Sequence, residues 1–163
     1  MSEYFVKNLV TALPLADASA LVDHALKCGH EYGMLPMTVA VLDAGGHLLA
    51  FKREDGSGIM RGDIAIGKAW GELGMGISSR TIGKRLADRP SFLDALAGVS
   101  QGRFIPVPGG VLICNDDGVV VGAVGISGDT SDKDEFCAVE AVKAIGLVPH
   151  PEEAAADWKD SKL

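Results

Sequence analysis

Apolar positions follow two periods along this chain, one of 3.6 residues and one of 2. Over residues 14–32, Ala18, Leu21, Val22, Ala25, Leu26, Gly29 and Tyr32 fall on one arc at about 100° per residue, which predicts an amphipathic helix. Pro14 suits its first turn and Gly33 its C-terminal cap. Thr38–Leu42 is β-branched and apolar, Gly45-Gly46 supplies a tight two-residue turn, and Leu48–Phe51 returns, so the stretch predicts a β-hairpin. A second hairpin is expected where Val111–Cys114 runs into Asn115-Asp116-Asp117-Gly118 and Val119–Ile126 runs back. The unbroken apolar run of Val119–Ile126 predicts a strand buried on both faces.

Between the hairpins, residues 61–75 predict a helix with two apolar faces. Ile66, Ala69, Trp70 and Leu73 make one; Ile64, Lys68, Gly71 and Met75 make the other. Gly67, Gly71 and Gly74 lie between them. A glycine in a helix costs about 1 kcal/mol relative to alanine, so this stripe implies close approach of another backbone or a flat ligand. Burial from two sides in turn implies a partner subunit. Residues 78–98 predict one or two short helices, capped at Ser78 or Ser79 and broken at Pro90. Pro106 and Pro108 keep 104–110 out of a central strand. Asp132, with Glu135 three residues on, predicts the N-cap of a last helix that ends at Gly146. One domain over 1–148 and a polar tail over 149–163 complete the reading.

The 163 residues carry a formal charge of −7. That balance opposes nucleic-acid binding, since the one basic cluster, Arg80, Lys84, Arg85 and Arg89, is diluted by Asp88 on a solvated helix face. No apolar stretch is long enough to span a membrane and no signal-peptide pattern opens the chain. Cys28, Cys114 and Cys137 are scattered without a C-x-x-C pair, which fits buried thiols in a reducing cytoplasm. The alternative location is the peroxisome, because Ser161-Lys162-Leu163 matches its C-terminal address in a eukaryote.

Several residues have chemistry to offer. Lys68, flanked by apolar residues and glycine, could pair with a carboxylate, bind an anionic ligand, act as a base or extend to solvent. Arg53 and Asp55 suit a surface pair. Ser127-Gly128 precedes a helix N-terminus, where small residues expose backbone N–H groups, and Pro108-Gly109-Gly110 is a rigid turn of similar potential. No histidine has metal-cluster spacing, yet His24, at the edge of the first helix's apolar arc, could serve as an axial haem ligand, whereas His30 faces water.

As a set, these pieces resemble the GlcG/HbpS-like family, also called DUF336 or haem-degrading domain proteins, which includes the C-terminal domain of PduO-type proteins. The resemblance is carried by Asp43 with Gly45-Gly46, Phe51 through Arg53 with Asp55, and Ala65 through Lys68-Ala69. It continues in Pro108-Gly109-Gly110, Asp117-Gly118, Gly122-Ala123, Gly125, Ser127-Gly128, Asp134-Glu135 and Ala138, and spans roughly 14–147. It implies an α/β fold with a five-stranded antiparallel sheet, flanking helices and profilin-like topology. It also implies homo-oligomers, often octamers, and haem or another tetrapyrrole as ligand in some relatives. The chain departs from the family at Leu112, where proline is frequent, and at Trp70-Gly71, where threonine-alanine is usual.

Two functions follow from this reading. The first is an oligomeric protein binding haem or a related small molecule, with His24 as iron ligand and Gly71, Pro108, Gly109, Gly110, Ser127 and Gly128 lining the site. The second is a cofactor-independent isomerase, hydratase or lyase acting on a small carboxylate or aromatic catabolite, with Lys68, Glu135 and Arg53 as its polar groups.

Overall fold

The computed structural model describes residues 7–163. Its elements run α1 (Leu15–Glu31), β1 (Thr38–Asp43), β2 (Leu48–Arg53), α2 (Arg61–Met75), α3 (Ser79–Leu86), α4 (Pro90–Val99), β3 (Gly110–Cys114), β4 (Val120–Ser127), α5 (Ser131–Ala144) and β5 (Val148–His150). The five strands form one sheet in the order β2-β1-β4-β3-β5, with antiparallel neighbours throughout. Strand alternation gives the sheet two apolar faces. Val39, Val41, Val111, Ile113, Val124 and Ile126 meet α1 and α5 in the larger core. Leu42, Leu112 and Ala123 meet Ala69, Trp70 and Leu73 of α2 in the smaller one. Strand β4 sits at the centre and is buried on both faces from Val121 onward, as its unbroken apolar run requires.

The two hairpins use one device. Asp43 Oδ1 accepts from the N–H groups of Gly45 and His47, and Asn115 Oδ1 accepts from those of Asp117 and Val119. Backbone bonds Asp43 N to His47 O and Asn115 N to Val119 O close three-residue loops. In each loop the third residue is left-handed, Gly46 at φ 84° and Gly118 at φ 76°, and a register shift follows in the strand. The two-residue turn expected at Gly45-Gly46 is therefore one residue longer, and only Gly46 needs its conformational freedom.

Three further expectations change. Thr130, with extended backbone, is the N-cap of α5, accepting from Lys133 N, while Asp132 lies inside the first turn and binds Arg80. Residues 149–163 are not a free tail. Val148–His150 forms the edge strand β5 against β3, and Trp158 stacks on Phe136 at 3.7 Å and 12°. The second face of α2 meets its own chain rather than needing a partner. A Cβ on Gly67 would lie 2.5 Å from Ile105 and one on Gly71 3.0 Å from the Phe104 ring, whereas Gly74 faces open space.

Candidate functional site

Part of the set that carries the family resemblance, Lys68, Gly109-Gly110, Ser127-Gly128 and Asp134-Glu135, converges at one end of β4 around a buried polar cluster. Lys68 projects from α2 and is 2% exposed. Its ammonium donates to Ile126 O at 2.8 Å and to Asp134 Oδ2 at 3.1 Å. Asp134, on the first turn of α5, also accepts from the N–H groups of Gly128 and Asp129. Lys68 thus ties the helix on one face of the sheet to the helix on the other. Burial pulls the Lys68 pKa below the ordinary lysine range, against the attraction of Asp134. Burial likewise pushes Asp134 above the ordinary carboxylate range, against the attraction of Lys68.

The glycines of this region make room for that cluster. A Cβ on Gly109, itself at φ 114°, would sit 2.6 Å from Lys68 Nζ, and one on Gly110 would sit 2.8 Å from Glu72 Cδ. A Cβ on Gly128 would strike Met37 at 2.6 Å. Glu72 is fully buried; its Oε1 accepts from Ser79 N at 2.7 Å, and its Oε2 has no hydrogen-bond partner among the described residues. Burial raises its pKa well above the usual carboxylate range, against the hydrogen bond from Ser79 N. Glu135, also fully buried, receives Arg80 Nε at 2.9 and 3.1 Å, and Arg80 in turn holds Asp132 at 2.5 Å.

The expected site residues therefore separate. Lys68 and Glu135 share one cluster but are sealed within it by their own ion pairs. Lys68 neither extends to solvent nor faces a surface on which a substrate could land. Arg53 lies apart and exposed, donating to Ser57 O at 2.7 Å. Gly109, Gly110, Ser127 and Gly128 are buried and receive the chain itself, while Ser127 Oγ also accepts from Arg61 at 3.1 Å. Pro108 is half-buried at the entry to this turn. Gly71 receives Phe104 and borders an apolar cavity of about 110 Å³ between α2 and α4.

His24 belongs to a different surface. It is exposed on α1 and borders a concavity of about 230 Å³ between α1 and α5. Lys27, Cys28, Tyr32, Phe136 and Glu140 are among the other residues lining it. Tyr32 meets Phe136 edge-on at 5.1 Å and Trp158 at 5.3 Å, so the aromatic wall continues into the C-terminal segment. In the sequence Tyr32 belongs to the apolar arc of the first helix, Cys28 reads as a buried thiol, and nothing assigns Phe136 to a site. The spacing of His24, Cys28 and Tyr32 at successive fourth positions was the available signal. A second, larger concavity of about 520 Å³ holds His30, Met34, Arg53 and Glu54, with the His30 ring bonded to Glu54. Among the described residues, no group of three His, Cys, Asp or Glu side chains is placed to hold a metal ion.

A five-stranded antiparallel sheet with helices on both faces, closed at one end by this polar cluster, defines the protein as an α/β domain of the type the resemblance implies. The chain belongs to the family described as haem degrading protein HbpS-like, whose model matches residues 13–143. Among solved structures it is similar to the PduOC:heme complex, with a TM-score of 0.76 and 25% identity over 86% of this chain and 99% of that one. It is also similar to ORFY of Klebsiella pneumoniae, a DUF336 protein, with a TM-score of 0.75 and 27% identity over 89% and 98% of the two chains. A double-mutant form of HbpS from Streptomyces reticuli matches with a TM-score of 0.71 and 26% identity over 85% and 90%. Comparison with curated proteins gives no match. No helix among the described residues is long and apolar enough to cross a membrane.

Proposed function

We propose that this protein binds haem or a related tetrapyrrole at the α1–α5 concavity, as a homo-oligomer, with His24 as the axial ligand. The observation that carries the reading is the exposed His24 imidazole beside an aromatic wall of Tyr32 and Phe136, in a chain of the HbpS-like family. The donor set fits the group. An imidazole suits haem iron, the aromatic rings suit a flat apolar macrocycle, and Lys27 offers a cation for its carboxylates. At about 230 Å³ the concavity is smaller than the ~300–1,000 Å³ of pockets that enclose a ligand, so a macrocycle would be held along one face or edge. When bound, haem supplies a redox-active iron centre; the chain's own part is to ligate, stack and anchor.

A second copy of the chain would cover what one protomer leaves open. Helix α4 has no buried residue, and Phe92, Val99 and the neighbouring Met75 are 37%, 80% and 39% exposed. An apolar helix left uncovered favours self-association, and the family resemblance implies homo-oligomers, often octamers. The alternative enzyme has less support, because Lys68 and Glu135 are sealed from substrate and Arg53 stands apart from both.

Haem titration followed by absorbance tests the reading. His24→Ala should weaken binding and shift the Soret maximum, while His30→Ala should titrate like wild type. Equal titration of His24→Ala and wild type would remove His24 from the site. Light scattering at micromolar concentration should give several times the protomer mass; a monomer would remove the oligomer.

A further inference from the structure

The aromatic wall of the His24 concavity continues into a segment that lies outside the family match, which ends at residue 143. Residues 151–163 are tied to α5 at several points. Lys143 Nζ donates to Glu153 Oε1 at 2.8 Å. Ser161 Oγ donates to Trp158 O at 2.9 Å and meets the hydroxyl of Thr130, the N-cap of α5. Between these ties, the single 3-10 turn Trp158–Asp160 lays the Trp158 ring on Phe136 and against Tyr32, the two aromatic residues of the concavity. The same turn carries Lys159, which is exposed. Its ammonium stands 5.7 Å from the centre of the Tyr32 ring and 5.3 Å from that of Trp158.

We propose, resting on the tetrapyrrole reading of the same concavity, that Lys159 is a ligand-binding residue whose ammonium takes a carboxylate of the macrocycle, with Trp158 as the anchor that holds it there. Charge at the rim gives the reason. The concavity's lining carries one lysine, Lys27, against two carboxylates, Glu31 and Glu140. Lys27 already stands 3.7 Å from Glu31. Such a rim repels a ligand with carboxylate arms, and haem carries a pair of them. Lys159 is the cation that the C-terminal segment adds on the Tyr32 side of this rim. Without a ligand its ammonium rests over two ring faces, which attract a cation. A carboxylate laid along the Tyr32 wall offers it a full opposite charge and needs only a change of side-chain rotamer. Selection of carboxylate-bearing macrocycles over uncharged ones therefore belongs to a segment outside the residues that the family model matches.

The test is a titration of the full-length protein with haem and, separately, with iron-free protoporphyrin, whose emission reports binding without an iron ligand. At low ionic strength Lys159→Met should weaken both by about threefold to fivefold, the scale of an exposed ion pair. Lys159→Glu should weaken them further, by about tenfold, while Lys159→Arg binds as wild type. These differences should shrink at about 1 M salt, where charges are screened beyond about 3 Å. Lys159 is exposed, so its variants keep the fold, which circular dichroism checks. Trp158→Leu should weaken binding as Lys159→Met does, and adding Lys159→Met to it should change little more. A full-sized Lys159→Met effect in the Trp158→Leu background would overturn the anchoring role. Equal affinity of wild type and Lys159→Glu for both ligands, with His24→Ala still weakening haem, would overturn the inference and leave the reading of the site standing. Wild type that binds no haem would overturn both.

Discussion

Lys68→Met removes the ammonium at the centre of the polar cluster and keeps an apolar stem of similar length. Lys68 and Asp134 are 2% and 1% exposed, so solvent screens neither charge. Without Lys68, the Asp134 carboxylate retains only the N–H groups of Gly128 and Asp129, and Ile126 O loses its side-chain donor. Removing one member of a buried pair costs about 3–5 kcal/mol, because the other charge stays buried without its counter-ion. Against a total stability of about 5–15 kcal/mol, the variant should fold at low temperature but unfold early. For a chain of this size each kcal/mol moves the midpoint by about 2–4 °C, so a fall of about 6–20 °C is expected. Urea denaturation followed by circular dichroism measures the loss. Asp134→Asn, which keeps an acceptor for the backbone, should restore part of the stability when combined with Lys68→Met. The double-mutant cycle should show a coupling of at least about 1 kcal/mol. A Lys68→Met variant less than about 1 kcal/mol below wild type, with no coupling to Asp134→Asn, would refute the structural role. Any loss of turnover in Lys68→Met has to be read against this loss of fold.

Glu72→Gln replaces a carboxyl whose pKa burial raises well above the ordinary carboxylate range. A carboxyl whose folded pKa is raised binds its proton in the folded state at pH values where the unfolded chain has released it, so its contribution falls as pH rises above the ordinary carboxylate range. Glu72→Gln should therefore gain stability over wild type progressively from about pH 5 upward, as thermal melts would record; a difference independent of pH would refute the raised pKa. Gly71→Leu should destabilise the fold by about 1–3 kcal/mol, because a Cβ alone would already press on the Phe104 ring at 3.0 Å. Wild-type stability with altered assembly would instead place Gly71 at a subunit contact.

The local elements could be read from the chain because each rests on a short-range rule. The 3.6-residue period locates α1 and α2, whose observed ends, Leu15–Glu31 and Arg61–Met75, lie within a residue of those the pattern predicts. The apolar run of β4 announces a central strand, and Asp43 with Gly46 and Asn115 with Gly118 announce the hairpins. Lys68, Gly109, Gly110, Gly128 and Asp134 were legible only as parts of the longer set that carries the family resemblance. What they do there was decided by contacts between distant segments. Lys68 and Asp134 are 66 residues apart, and only the antiparallel placement of β3 beside β4 brings Gly109 and Gly110 against Lys68 and Glu72. Glycine conserves space as readily for a neighbouring side chain as for a ligand, so composition alone could not say which would fill it. The same applies to Val148–His150, too short and proline-bearing to declare itself a strand until β3 offers an edge. Periodicity records which residues face inward; which inward-facing groups meet depends on how the sheet brings distant stretches of chain side by side.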